Sequence, residues 1–177
     1  MAAPQALSAE VPDALRSVRA LILRGEEVER YAESSGNAAQ KRVSYYCFMR
    51  AMEKAVESGK TGEPEVQGFL MNLMKKLETT KEALGIDASS AEADKELVLS
   101  NALTVFKKAD DVDRAGAADK STARSYNVAA NFFDILSQFG PLDAEQEQMR
   151  KYAQFKTLDI LNALKQGRRP TPGVPGA

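Results

Sequence analysis

Few residues in this chain are placed to do chemistry. It has no His and one Cys, Cys47. That excludes His-ligated zinc, and it excludes Ser-His-Asp and Cys-His catalysis. Asp110, Asp111 and Asp113 hint at a calcium loop, but the Gly is misplaced and the twelfth position from Asp111 is Thr122, not Glu. They read as charges around a helix end. Glu26 and Glu27 lie on a polar helix face. No G-x-G-x-x-G or G-x-x-x-x-G-K-[ST] loop is present to cradle a phosphate. Nothing assembles into a catalytic constellation, so the expectation is no enzyme, no metal and no cofactor. What remains is recognition, through apolar and methionine-bearing helix faces.

Composition narrows the partners. The 177 residues carry 24 Lys+Arg and 25 Asp+Glu, a net charge of -1. A strongly basic nucleic-acid binder is excluded, because neutralising phosphates needs excess cations. The pairs Tyr45-Tyr46 and Phe132-Phe133 lie outside any basic strip and read as packing. One cysteine permits no internal disulfide, which fits a reducing compartment. No stretch approaches the ~20 apolar residues of a membrane span. The start, MAAPQALSAEVPD, lacks the regions of a secretory signal. A soluble intracellular protein is expected.

The elements that must position these faces read as helices almost throughout. Apolar residues recur at helical spacing from Pro12 to about Glu33 (Leu15, Val18, Leu21, Ile22, Val28). A second helix is expected over 38–58 and a third from Pro64 to Gly85, with the stripe Val66, Leu70, Leu73, Leu77 and Leu84. Ser89 and Glu92 suit a capping box opening the next stretch. A short linking helix is expected there, with a new helix starting near Ser100. Two more helices follow, from Asp119 to Phe139 and from Asp143 to Gly167. No segment alternates with the period of a strand, so the fold class is all-α, with about seven helices, or six if the linking helix merges with its neighbour. Ser44, Tyr45 and Gly59 recur 81 residues on as Ser125, Tyr126 and Gly140. With the matching helix order, this reads as two stacked three-helix modules.

Two helices carry apolar arcs far wider than the ~100° one core requires. The second carries Tyr45, Cys47, Phe48, Met49, Ala51, Met52, Ala55 and Val56. The sixth carries Tyr126, Val128, Ala129, Phe132, Phe133, Ile135, Leu136 and Phe139. Such an arc either touches two neighbours or leaves part of itself in a groove for a partner's helix. On the third helix, Met74 sits on the shoulder of the stripe and Met71 well off it.

At these residues the chain resembles a known family. The carriers are Val43-Ser44-Tyr45-Tyr46-Cys47 with Ala51-Met52-Glu53, and Phe69-Leu70-Met71-Asn72-Leu73-Met74. A third block holds Ala109-Asp110, Asp113-Arg114-Ala115-Gly116, Asp119-Lys120-Ser121-Thr122-Ala123 and Phe132-Phe133-Asp134-Ile135-Leu136. The last is Lys151-Tyr152-Ala153-Gln154-Phe155-Lys156. In this order they resemble the LYST-interacting protein group, vacuolar-trafficking cofactors of the ESCRT AAA ATPase. The resemblance covers about residues 12 to 170. It implies two MIT (microtubule-interacting and trafficking) modules that bind helical C-terminal tails of ESCRT-III subunits in multivesicular body sorting. It also implies a dimerising, ATPase-engaging C-terminal region that this chain lacks, so a monomer is expected. The implied setting is the cytoplasm, with recruitment to endosomal membranes but no membrane insertion and no nucleic acid. The stretch Glu33 to Lys41 looks longer than the resemblance leads one to expect.

The expected organisation is a flexible N-terminus (1–11), a first module (12–85), a linking helix (86–100), a second module (101–166) and the start of a Pro/Gly-rich linker (167–177). A partner helix is expected between the second and third helices of a module. Its contacts would be Met49, Met52, Val56, Met71 and Met74 in the first module. In the second they would be Tyr126, Phe133, Lys151, Phe155 and Lys156. The alternatives are a structural helical scaffold whose arcs are all internal, or a membrane-surface bundle. The latter is disfavoured because no helix has a Lys/Arg-rich polar face.

Overall fold

The computed structural model describes residues 5–174, and all regular structure among them is helical. The helices are α1 (Leu7–Glu10), α2 (Arg19–Ser35), α3 (Gln40–Glu57), α4 (Pro64–Leu84), α5 (Ala91–Arg114), α6 (Lys120–Leu136) and α7 (Ala144–Lys165). Two 3-10 turns, Asp13–Val18 and Ser137–Phe139, complete the set. The all-α expectation holds. The chain forms two compact units, residues up to 94 and from 95 onward.

The first unit is built on α2, α3 and α4. The expected helix from Pro12 begins instead as a 3-10 turn, with Leu15 off helical geometry at φ -110° and ψ 23°. A 3-10 turn puts residues i and i+3 on one side, and Leu15 and Val18 are both fully buried. The helix then runs past Glu33 to Ser35 and ends on left-handed Gly36. Residues 36–39 alone separate α2 from α3, so the expected long loop is a tight turn. At the α2–α3 crossing the Ser44 hydroxyl donates to the Gly25 carbonyl at 2.8 Å. A methyl added to Gly25 would meet the Phe48 ring at 2.8 Å. Glycine is required there by close approach. Phe69, Leu73 and Leu77 bury the inner face of α4.

Residues 5–11 are not a loose end. α1 packs on α2 and α4. The Ser8 amide donates to Glu26 at 3.0 Å, and Asn72 donates to Glu10 at 3.2 Å. The part of the expected flexible segment before residue 5 lies outside the described residues.

No linking helix stands apart: Ala91–Arg114 is one unbroken helix. Nothing between 91 and 114 is Gly or Pro, so no residue there ends a helix. The expected Ser89–Glu92 box does not form, because the Ser89 hydroxyl donates to Asp87 instead. Seven α-helices are present among the described residues, with α1 counted and the linking stretch merged into α5.

The beginning of α5 is pinned to α3. Arg42 grips the Asp94 carboxylate with two nitrogens at 2.6 and 3.0 Å, the Tyr46 hydroxyl donates to it at 2.7 Å and the Ser90 hydroxyl at 3.0 Å. Arg42 also donates to the Leu84 carbonyl at the end of α4. Burial works against the Asp94 carboxylate, but hydrogen bonds from Arg42, Tyr46 and Ser90 outweigh it and hold its pKa below the usual range.

In the second unit α5, α6 and α7 share a core of Ala109, Ala123, Tyr126, Ala130, Ala153 and Ile160, with Phe106 and Tyr152 against it. The Phe106, Tyr126 and Tyr152 rings lie 5.8–6.0 Å apart, centre to centre. Reciprocal capping boxes start α6 (Asp119 with Thr122) and α7 (Asp143 with Gln146). Small alanines let the helices approach while the aromatic rings fill one end.

Candidate functional site

In the second unit the expected contact residues separate sharply. Tyr126 and Phe133 are fully buried, and so is Lys156. None of the three offers surface to a partner, and all three drop out of the expected contact set. The physical reason is the width of the α6 arc. Ala129, Phe132, Ile135 and Leu136 are buried with them, so that arc is spent on internal packing. Burial, with the Asp113 charge second, pushes the Tyr126 phenol well above its ordinary range. Its hydroxyl donates to Asp113 at 3.1 Å.

Lys151 and Phe155 remain outside, on the outer face of α7 with Leu158, which is 63% exposed. Leu161 and Leu164 are exposed as well. Between α6 and α7 lies a cavity of about 570 Å³ lined by Lys120, Ser121, Ala123, Arg124 and Asn127 from α6 and by Thr157 and Leu161 from α7. Its α6 wall carries two cations and its α7 wall is apolar. That arrangement suits an amphipathic segment with acidic residues on one side.

In the first unit the α3 arc splits. Cys47, Phe48, Ala51 and Ala55 are buried, whereas Met49 and Met52 are half-buried and Val56 is exposed. Spacing of three and four residues puts Met49, Met52 and Val56 on one face of α3. On α4, Met74 is 51% and Met71 71% exposed, beside fully buried Leu73. A separate cavity of about 210 Å³ is lined by Glu29, Lys41, Ser44, Phe48 and the Lys76–Leu84 part of α4. None of the five expected residues lines it. Lys76 lies 5.1 Å over the Phe48 ring and pairs with Glu29 at 3.0 Å.

Neither unit builds a reactive centre from what was singled out. Burial pushes the Cys47 thiol up to about 12. The three aspartates go separate ways: Asp110 pairs with Arg114 at 2.8 Å, Asp111 with Lys107 at 2.6 Å, and Asp113 is buried against Lys156. Asp113 is therefore interior, not a solvated helix-end charge.

The sequence pattern of the Vta1-like family matches residues 21–166. The chain belongs to the Vta1-like family. It is 38% identical over 161 residues to the homolog of mammalian LYST-interacting protein 5 from Arabidopsis thaliana, covering 90% of this chain and 35% of that protein. It is 39% identical over 137 residues to the vacuolar protein sorting-associated protein VTA1 homolog of Bos taurus, covering 76% of this chain and 44% of the relative. The corresponding Homo sapiens protein is 38% identical over 140 residues, with the same coverage. The chain thus spans less than half the length of these relatives.

The Vta1-like match takes in both helical surfaces and stops short of residues 169–174. Sequence reasoning missed Lys120, Arg124, Thr157, Leu158, Leu161 and Leu164 in this Vta1-like chain. A signal was available. Leu158, Leu161 and Leu164 step by three along α7 while Ile160 and Ala163 fill its buried side. That is more apolar surface than one core face uses.

Proposed function

We propose that this chain is the recognition part of a vacuolar sorting cofactor and works by binding helices rather than by catalysis. Its two units are MIT modules for helical C-terminal tails of ESCRT-III subunits. The longer protein's remaining region couples them to the ESCRT AAA ATPase in multivesicular body sorting. The setting is cytoplasmic with recruitment to endosomes. No helix among the described residues is long and apolar enough to cross a membrane.

The observation that carries this reading is the α6–α7 cavity, with Lys120 and Arg124 on one wall and Leu161 on the other. An amphipathic tail helix lays its leucines over Thr157 and Leu161 and brings acidic residues to the two cations. Met49, Met52 and Val56 on α3, and Met71 and Met74 on α4, offer adaptable apolar side chains in the first unit. Each contact is small, so single-site affinity near ~10 µM is expected. Two sites on one chain gain by avidity on crowded tails.

The test is a fluorescence-anisotropy titration of an ESCRT-III C-terminal helix peptide at two salt concentrations. Saturable binding that weakens with salt supports the reading. No binding at any salt leaves a structural scaffold.

A further inference from the structure

Residues 169–174 turn back onto the second unit, where a free linker was expected. Pro170 and Gly173 are buried. The Arg169 guanidinium donates to the Gly116 carbonyl at 3.1 Å. The Lys156 ammonium donates to the Thr171 carbonyl at 3.0 Å and the Gly173 carbonyl at 3.1 Å. The Gly173 amide donates to Oδ2 of Asp113 at 3.2 Å. Lys156 and Asp113 are themselves 3.0 Å apart.

We propose that Asp113 and Lys156 form a receptor for a turned main-chain segment, and that residues 169–174 are its own-chain ligand. The strap closes the flank between the end of α5 and α7, and a free segment of the same kind can replace it.

Proton and acceptor counting carries the proposal. An ammonium has three donors. Two go to strap carbonyls and the third to Asp113. Without the strap the ammonium keeps Asp113 at 3.0 Å and the more distant Asp159 at 3.7 Å, and two of its donors are left for a replacement main chain or for water. The recognition is of main chain. It requires a carbonyl at one residue, then an amide and a carbonyl two residues on. The second position must also adopt left-handed geometry, since Gly173 has φ +66°. Oδ2 of Asp113 takes Lys156, Tyr126 and Gly173, while Oδ1 has no partner among the described residues. The receptor therefore has one acceptor to spare. In the first unit the other end of the chain behaves alike, with α1 packed on α2 and α4. Each unit thus has the flank between its first and third long helices covered by its own chain. This inference stands without the tail-binding reading, because it concerns a different flank.

The experiment uses the full chain. Amide hydrogen exchange should find Gly173 protected, roughly 100-fold or more against a free peptide. Gly173→Pro removes the N–H and forbids the positive φ, so it releases the strap without touching the helices. This variant should bind a labelled synthetic peptide of residues 167–174 about tenfold or more tighter than the native chain, whose strap competes at high effective concentration. The same peptide with Pro in place of its Gly173 should not bind. The proposal is overturned if Gly173 exchanges at the free-peptide rate. It is equally overturned if the Gly173→Pro chain ignores the peptide, or if both peptides bind alike.

Discussion

The Lys156 ammonium lies 3.0 Å from Oδ2 of Asp113, and neither side chain has any exposed surface. A buried pair of this kind adds little net stability, because desolvation offsets attraction. Breaking it is another matter. Lys156→Met should lower stability by about 3–5 kcal/mol, since it strands the Asp113 carboxylate in the core. Lys156→Met with Asp113→Leu should recover much of that loss. Urea unfolding of the single and double variants measures both, and a single variant as stable as the native chain contradicts the pairing.

The clasp of Arg42 on Asp94 sets an acid limit. The folded pKa of Asp94 lies below the unfolded value. Its contribution is therefore complete above the unfolded value near 4 and is lost as pH falls through the lower folded value. The native chain should lose stability from about pH 4 downward, and Asp94→Asn should flatten that part of the profile. At neutral pH, Arg42→Ala should cost about 3–5 kcal/mol, because Asp94 stays buried without its cation. Thermal melts across pH 3 to 7 check both. A native profile no steeper than that of Asp94→Asn would count against the clasp.

Gly25 faces the Phe48 ring, where an added Cβ would sit 2.8 Å from two ring carbons. Helix propensity favours alanine by about 1 kcal/mol, and overpacking costs about 1–3 kcal/mol. Phe48 is 2% exposed, so a shift of its ring disturbs the packing of the core. Gly25→Ala should therefore destabilise, and Phe48→Leu in the same chain should relieve it. A more stable Gly25→Ala, by denaturant midpoint, would sink the close-approach argument.

Cys47 is fully buried, and its thiol is pushed up to about 12. Nucleophilic attack needs thiolate and access. At pH 8 the native chain should resist a thiol reagent and react fully once unfolded in guanidinium. Fast labelling of the folded chain, followed by absorbance, would contradict its place in the core.

Helix identity was legible because Gly36, Gly59, Gly85 and Gly140 mark the ends of apolar-periodic runs. Long-range polar ties were not. Nothing in local pattern joins Arg42 to Asp94 or Lys156 to Asp113, and the expectation of Lys156 as a surface contact failed for that reason. The break expected near Ser100 failed differently, because no glycine or proline enforces it. The two wide arcs looked alike in sequence and differ in fate. On α3 the edge formed by Met49, Met52 and Val56 stays at least partly at the surface. On α6 Phe132, Phe133 and Ile135 are all buried. Periodicity reports how much apolar surface a helix has, but not how many neighbours cover it.

The most direct measurement is an anisotropy titration of one ESCRT-III tail helix against four chains: native, Met74→Asp, Leu161→Asp and the double variant, with a thermal melt of each. Both residues are exposed, so all four should melt within a few degrees of one another. A carboxylate at Met74 would be buried without a counter-charge on complex formation, costing several kcal/mol of the roughly 7 kcal/mol that a ~10 µM contact provides, while one at Leu161 would remove the apolar wall and occupy Lys120 and Arg124 in place of the tail's acidic residues. The account predicts that one single variant loses binding according to which unit the tail uses, that the other keeps it, and that the double variant binds nothing. Full-affinity binding by a folded double variant would contradict it.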